Sequence, residues 1–269
     1  MTAADRNGQK PGSQKDARSG EVLSPSQVRT FLDCQARWYF KYRARLPDPQ
    51  TSNLALGKAV HAALAENFRQ KIETHEDLPT TGVMALFRQF WQEERADTEF
   101  AEIEDADEIG KSGEALVMRY MDEVASFIQP RASEFFVAGA ISGVRIQGVI
   151  DIVDQNQRII DLKTRTRRPP AISFADLFQL ATYSQLLPAA DSCVHIDSLI
   201  KTKTVQVVRH TLELTPQDLE TTKVLYPLAQ DAMQRNTFVA NRLSLSCSRR
   251  HCAFWRQCER EFGGHVPDV

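Results

Sequence analysis

Two aspartates and one lysine near the middle of the chain have the types and spacing of a hydrolytic metal site. Asp161 and Lys163 are two residues apart in IIDLKT, which reads as a strand, so both side chains should point to one face. If residues 155–157 form a turn, Asp151 lies directly across a hairpin from Asp161. Converging carboxylates can bind Mg²⁺, which activates water and a phosphate, while a lysine stabilises negative charge. A salt bridge at a sheet edge explains the same spacing.

The segments around these residues predict an α/β domain. Ser24 should cap a helix that continues through Cys34 to Tyr42, and apolar spacing predicts helices at 54–71, 81–97 and 108–129. Period-two segments then predict a three-stranded meander over 135–166, with turns at 142–143 and 155–157. A helix at 174–187, strands at 195–202 and 205–214, and a helix from Thr215 follow. This order predicts a central mixed sheet flanked by helices.

Length and composition exclude several classes of protein. The chain has 269 residues, 42% of them hydrophobic, which can bury the core of one large domain. Residues 1–20 are polar and predict a disordered tail, and residues 21–269 predict a single domain. No apolar run could span a bilayer and no secretory signal is evident, so we expect a cytoplasmic protein. The formal net charge of -2 means that DNA binding would depend on local patches.

Three segments together resemble the PD-(D/E)XK nuclease superfamily, in its branch similar to the RecB nuclease domain and the CRISPR-associated RecB-like exonucleases. They are GVID at 148–151, IIDLKT at 159–164 and QLATY at 179–183. The resemblance covers most of the ordered chain and implies a restriction-endonuclease-like core. It implies metal binding by Asp151 and Asp161, and catalytic assistance from Lys163. It also places Gln179 and Tyr183, which share one helix face at i and i+4, beside the active site.

The same resemblance implies that His61, in the segment ALGKAVHAAL, is a metal ligand from an early helix. Without the family pattern, a histidine among apolar residues is more often a boundary residue of the core. An imidazole with two carboxylates would accept Mn²⁺ as well as Mg²⁺. Glu134 could contact a second metal, although a surface or structural use explains it slightly better. Arg165, Arg167 and Arg168 could grip DNA phosphates, or could form a solvated basic loop.

Three of the five cysteines are close together in C-x4-C-x5-C spacing, at Cys247, Cys252 and Cys258. In a reducing compartment such clustering indicates metal ligation or catalysis, and four thiolates would suit either an iron-sulfur cluster or structural Zn²⁺. The resemblance implies that Cys34 is the fourth ligand and that the group is a [4Fe-4S] cluster, although many relatives have C-x2-C-x5-C here. His251 is an alternative ligand. Cys193 should be a small buried residue.

These features imply a metal-dependent DNA nuclease, an exonuclease or end-processing enzyme, in DNA repair, recombination or CRISPR adaptation. We expect one RecB-like domain, with a helical lobe over about 50–130, a catalytic core over about 131–240, and a cluster segment at 241–269 joined to Cys34. The expected substrate is DNA, single strands included. The chain has no P-loop motif, so processive work on duplex DNA would need a partner that opens the duplex. A helicase or a CRISPR-adaptation protein is a possible partner.

Two other classes of function explain part of the pattern. One is a non-catalytic iron-sulfur DNA-binding subunit of a larger helicase-nuclease complex. Intact Asp151, Asp161 and Lys163 argue against it, because a degenerate homologue should have lost at least one of them. The other is a zinc-stabilised interaction module, which would require the Asp-x-Lys motif and the cysteine spacing to be two independent coincidences.

Overall fold

A five-stranded sheet and eight α-helices make up the fold in the part of the chain that the computed structural model describes, residues 21–187 and 189–268. The predicted tail at 1–20 lies outside the described residues, as does Pro188. The α-helices are α1 (Pro25–Asp33), α2 (Gln35–Trp38), α3 (Ser52–Thr74), α4 (Thr80–Ala96), α5 (Ala106–Glu123), α6 (Phe174–Leu186), α7 (Pro216–Gln234) and α8 (Trp255–Phe262). The strands are β1 (Gln50–Thr51), β2 (Thr98–Glu99), β3 (Pro130–Ile141), β4 (Val144–Asp154), β5 (Ile159–Arg165), β6 (Cys193–Ile200) and β7 (Gln206–Glu213).

The large sheet has the strand order β3-β4-β5-β6-β7. All neighbouring strands are antiparallel except β5 and β6, which are parallel and are connected through α6. A parallel pair needs such a crossover, whereas the antiparallel pairs are joined by short turns. The meander and the mixed sheet flanked by helices, both predicted from the sequence, are confirmed. The two short strands β1 and β2 form a separate parallel pair.

Helix ends follow the capping residues in the sequence. The Ser24 side chain accepts a hydrogen bond from the amide of Gln27 at the start of α1, and Thr215 forms a capping box with Asp218 at the start of α7. The prediction that Cys34 lies inside one continuous helix is wrong. Cys34 is extended, with φ -154° and ψ 111°, and separates α1 from α2.

The residues that follow Cys34 divide between two cores. Phe31 packs edge-on against Trp38 in a cluster shared with α7, whereas Phe40 packs against Phe254 of the C-terminal segment. A π-helical turn over Tyr39–Arg43 follows α2 and carries the chain between the two. Tertiary packing thus overrides the helical periodicity of the segment.

Helices cover both faces of the sheet. Helices α3, α4 and α5 bury apolar side chains against one face, in a cluster that includes Ile160 and Leu162 of β5. Helix α6 covers the other face through Leu180 and Ala181, which pack with residues of β4 and β6. Within the described residues, no helix combines the length and apolar character needed to cross a membrane.

The N-terminal helices are joined to the C-terminal segment by hydrogen bonds. The amide of Ala36 donates to the Val239 carbonyl at 3.1 Å. The Asn241 side chain donates to the Asp33 carbonyl at 2.7 Å, and the Ser244 hydroxyl donates to the Asp33 carboxylate at 2.8 Å. Residues more than 200 positions apart in sequence are therefore neighbours, and we call this contact the terminal joint.

Candidate active site

Strands β4 and β5 separate at the candidate site. They are paired only at 152–160 and 153–159, whereas β4 is paired with β3 over almost its whole length. Further along, Leu23 bridges to Ile146 on the edge of β4 that faces away from β3. The stretch 148–151 therefore borders an opening between Leu23 and β5, and the predicted catalytic residues surround this opening.

Asp151 lies where the two strands part. Its Oδ2 accepts a hydrogen bond from the amide of Leu162 at 2.7 Å, so the carboxylate takes the place of a strand partner. Its Oδ1 lies 3.7 Å from Nδ1 of His61, which α3 brings to the opening. Burial alone would lower the pKa of His61, but the Asp151 carboxylate outweighs it and raises the pKa above the usual 6.5. Burial would raise the pKa of Asp151, and His61 lowers it below its usual range.

Asp161 is almost completely buried, at 3% exposure, and is held by two side chains. Its Oδ1 accepts hydrogen bonds from Gln179 at 2.8 Å and from the Lys163 ammonium at 3.1 Å. Its Oδ2 lies 2.8 Å from Lys163 Nζ, at an angle that makes this contact an ion pair without a hydrogen bond. Burial raises the pKa of Asp161 to about 6, although Lys163 opposes the shift. One oxygen of this carboxylate is thus buried, with the Lys163 ammonium beside it.

Gln179 and Tyr183 extend the same network from α6. The Gln179 amide nitrogen lies 3.4 Å from the Tyr183 hydroxyl, and Lys163 Nζ donates to the Gln179 carbonyl oxygen at 3.3 Å. The Tyr183 ring lies against Gly148, where a Cβ atom would come within 2.5 Å of Cε1. Burial raises the pKa of Tyr183 well above its usual range, so the hydroxyl is protonated at neutral pH. The structure therefore places all four residues of the Asp-x-Lys and Gln-x-x-x-Tyr pairs in one network.

Glu134 belongs to this site more closely than the sequence analysis expected. One ligand atom from each of His61, Glu134 and Asp151 lies within 4.8 Å of the other two. Glu134 stands at the β3 register position opposite Asp151, between the pairs 133–152 and 135–150, with a positive φ of 49°. The sequence held a usable signal, because a two-residue turn at 142–143 sets residue 134 opposite residue 151.

The donor set fits a divalent cation. An imidazole from α3 and carboxylate oxygens from β3 and β4 converge, those of His61, Glu134 and Asp151. Asp161 lies outside this group, with its buried Oδ2 2.8 Å from Lys163 Nζ. Oxygen-rich sites with one imidazole suit Mg²⁺ and Mn²⁺. The residues grouped to hold such an ion are His61, Glu134 and Asp151, and the role of Asp161 as a ligand remains a prediction.

A pocket at the terminal joint brings four of the five cysteines together. Cys34, Cys247, Cys252 and Cys258 line it. Burial raises the pKa of the Cys252 and Cys258 thiols. The fifth cysteine, Cys193, is half-buried at the start of β6.

Two arginine side chains, Arg37 and Arg242, line the pocket with the cysteines. Burial would lower the pKa of Arg242, but a hydrogen bond with Cys247 raises it. His251, the alternative ligand, hydrogen-bonds through Nδ1 to the Ser248 hydroxyl at 2.8 Å and is exposed. The positive charge of Arg37 and Arg242 thus opposes the burial that raises the pKa of the Cys252 and Cys258 thiols.

The three arginines after β5 differ in their surroundings. Arg165 is held by Asp176, with Nη2 2.7 Å from Oδ2, and by the Ser198 hydroxyl at 3.2 Å. Arg167 and Arg168 are exposed. The predicted DNA contact of Arg165, Arg167 and Arg168 remains a prediction, and the two exposed residues are better placed for it.

Comparison with known proteins identifies the family. The model of the PD-(D/E)XK nuclease superfamily matches residues 22–259, so the chain belongs to this superfamily of phosphodiester-hydrolysing enzymes, which usually use divalent metals. No curated protein matches the chain.

Solved structures add a likeness of fold. A protein of Eubacterium rectale named "Putative exonuclease" is 14% identical and has a TM-score of 0.55, with 85% of each chain covered. The structure of SSO0001 is also 14% identical, with a TM-score of 0.37, and the match covers 84% of this chain and 93% of that one. The first likeness shows a shared fold, and the second is too low to support an argument.

Replacing Gly148 by alanine should impair the site through Tyr183. The added Cβ would lie 2.5 Å from the Tyr183 ring, so the ring and its Gln179 partner must shift. Because small displacements of positioning groups are costly, we expect nuclease activity to fall by about 10- to 100-fold. Gly82→Ala on α4 is the control, since nothing lies within 4 Å of its Cβ position. Equal activity of Gly148→Ala and wild type would contradict this role for the close approach.

Divalent metal binding should weaken as the pH falls below about 6. Asp161, with a pKa of about 6, and His61, with a raised pKa, must both lose protons before they can bind a cation. Protonation of Asp161 alone should make Mn²⁺ affinity about tenfold weaker at pH 5 than at pH 7. Calorimetric titration with Mn²⁺ at pH 5, 6 and 7 measures the change. Affinity that is constant over this range would contradict the assignment of these ligands.

Proposed function

We propose that this chain is a Mg²⁺- or Mn²⁺-dependent deoxyribonuclease of the RecB-like branch, which degrades DNA from its ends. The observation that supports this most directly is the convergence of His61, Asp151, Asp161 and Lys163 at the opening between β4 and β5. They come from three separate segments of the sequence pattern, since Asp161 and Lys163 share one, and α6 adds Gln179 to the same network.

The chemistry assigns a part to each side chain. A divalent cation bound by His61, Glu134, Asp151 and Asp161 would polarise the scissile phosphate and lower the pKa of an attacking water. Lys163, whose ammonium is held 2.8 Å from Asp161, supplies the positive charge that stabilises negative charge developing on the phosphate. Its pKa is raised because Asp161 and Asp151 outweigh burial, so it is charged at neutral pH.

Gln179 and Tyr183 act as positioning residues in this proposal. Gln179 donates to Asp161 and accepts from Lys163, which fixes the relative orientation of the two charged groups. Tyr183 supports Gln179 from the side of β4. Arg167 and Arg168, exposed after β5, would contact the DNA backbone.

Similarity to other proteins supports an activity directed at DNA ends. The sequence pattern resembles RecB-like exonucleases, and the structurally similar protein of Eubacterium rectale bears the name "Putative exonuclease". The proposed setting is cytoplasmic DNA repair, recombination or CRISPR adaptation. A helicase or a CRISPR-adaptation protein would supply unwound DNA, since the sequence has no P-loop of its own.

We also propose a [4Fe-4S] cluster bound by Cys34, Cys247, Cys252 and Cys258. The four residues line one pocket. Among the described residues, no three of these sulfur atoms lie within 4.8 Å of one another. Four thiolates suit either an iron-sulfur cluster or structural Zn²⁺, and the resemblance to the RecB-like branch favours the cluster. The cluster would clasp a single domain spanning 21–269, with its helical lobe, catalytic core and cluster segment.

Cleavage of end-labelled and circular DNA tests the nuclease proposal. Anaerobically purified protein is incubated with linear single strands, linear duplex and covalently closed circles, with Mg²⁺, with Mn²⁺, or with EDTA. We expect metal-dependent loss of linear strands and survival of circles. Equal cutting of circles would replace the end-directed activity by an endonuclease. DNA binding without cleavage under all conditions would favour the non-catalytic subunit and overturn the proposal.

A further inference from the structure

We propose that Phe136 and Val149 form a binding surface for an unpaired nucleobase beside the cleavage site. This inference rests on the proposed DNA nuclease activity and adds the preference for single-stranded ends. Phe136 on β3 and Val149 on β4 are direct register partners, so their side chains lie side by side on one face of the sheet. They remain 59% and 40% exposed, although they lie in the middle of paired strands.

The position of this pair relative to the metal ligands suggests what it binds. Val149 is two residues from Asp151, and Phe136 is two residues from Glu134. Two residues along a strand correspond to about 7 Å, which is close to the reach from a phosphate to its own base. A strand whose phosphate lies at His61, Glu134 and Asp151 would therefore bring one base over Phe136.

An unpaired base is the occupant that this chemistry favours. In a duplex each base is paired and stacked on its neighbours, so its flat face is not available to a protein ring. A frayed or single-stranded end offers that face, and the aromatic ring with the adjacent valine provides an apolar surface for it. Since every base has such a face, binding would be independent of sequence.

The sheet surface beyond the pair allows a strand to pass. The next register partners on this face are Ala138 and Gln147, both exposed. The methyl group of Ala138 and the amide group of Gln147 do not block the surface there. The DNA strand could therefore continue along β3 and β4 beyond the base bound to Phe136. The metal ligands Glu134 and Asp151 and the apolar pair thus lie close together along the β3–β4 hairpin.

Phe136→Ala tests the surface, with Phe127→Ala as the matched control. Phe127 is 82% exposed and follows α5, near Lys71 on the part of α3 distant from His61. Loss of one base-aromatic contact should raise KM for single-stranded ends by about 5- to 100-fold, with little change in kcat. Phe136→Trp should retain the wild-type KM, and DNA binding should quench its added fluorescence. Phe127→Ala should match wild type.

The outcomes separate this inference from the proposed function. If wild type cleaves no DNA, the proposed function fails. If wild type cleaves DNA and Phe136→Ala has the wild-type KM for both single strands and duplex, the base-binding surface is overturned. If the KM for both substrates rises equally, the residue does not select unpaired bases, and the inference is also overturned. Thermal unfolding of Phe136→Ala and of Phe136→Leu confirms that each variant is folded; Phe136→Leu should show an intermediate KM.

Discussion

Lys163→Ala should cleave DNA about 100- to 1000-fold more slowly than wild type under saturating Mg²⁺. The loss of one preorganised positive group facing the developing charge has an effect of this size in other hydrolytic enzymes. In this chain the same ammonium is 2.8 Å from Asp161, so its removal also leaves a buried carboxylate without its cationic partner. Single-turnover cleavage of an end-labelled oligonucleotide measures the rate, and kcat should fall more than KM rises.

Lys111→Ala is the matched control for this variant. Lys111 is on the exposed surface of α5, where it pairs with Glu108 in the same helix, so its removal should leave cleavage unchanged. Lys163→Arg should recover only part of the rate, because a planar guanidinium cannot occupy the position of a compact ammonium. Thermal unfolding should first show that Lys163→Ala is folded. If the folded variant cleaves DNA at the wild-type rate, the active-site assignment is wrong.

Cys34→Ser should remove the proposed cluster and destabilise the whole fold. The cluster would connect residue 34 to residues after 246, a cross-link that closes a loop of about 200 residues. Closure of so long a loop stabilises a folded chain by on the order of 5 kcal/mol. The midpoint of thermal unfolding should therefore fall by about 10 to 20 °C, and the visible absorption of the protein should disappear.

Cys193→Ser provides the comparison, since Cys193 lies in β6 and not in the cysteine pocket. It should keep the visible absorption, the iron content and the unfolding midpoint of wild type. A colourless wild-type protein that contains one zinc per chain would replace the iron-sulfur assignment by structural Zn²⁺. Wild-type protein free of both metals would contradict the cysteine site altogether.

Local signals explain how much of the site could be predicted from sequence. Asp161 and Lys163 share a strand face because of their two-residue spacing, and Gln179 and Tyr183 share a helix face because of their four-residue spacing. Such relations are independent of the rest of the fold. The capping residues Ser24 and Thr215 likewise fixed two helix starts through contacts within one turn.

The features that could not be predicted depend on tertiary packing. Hydrophobic periodicity predicts the β4–β5 hairpin but not the point at which its strands part. The residues after Cys34 divide between two cores, with Trp38 in one and Phe40 in the other, and no local pattern records this division. Arg165 has the sequence context of a DNA-binding residue, yet it pairs with Asp176 because α6 crosses over β5.

The terminal joint also affects the order in which the molecule can form during synthesis. Asp33 emerges from the ribosome early, whereas its partners Asn241 and Ser244 emerge some 200 residues later. Every residue of the candidate active site, from His61 to Tyr183, is synthesised in between. The sheet can therefore assemble while the two ends are still apart, and closure of the joint is a late, long-range folding step. A newly made chain would pass through a stage in which its nuclease core is built but its ends are not yet fastened.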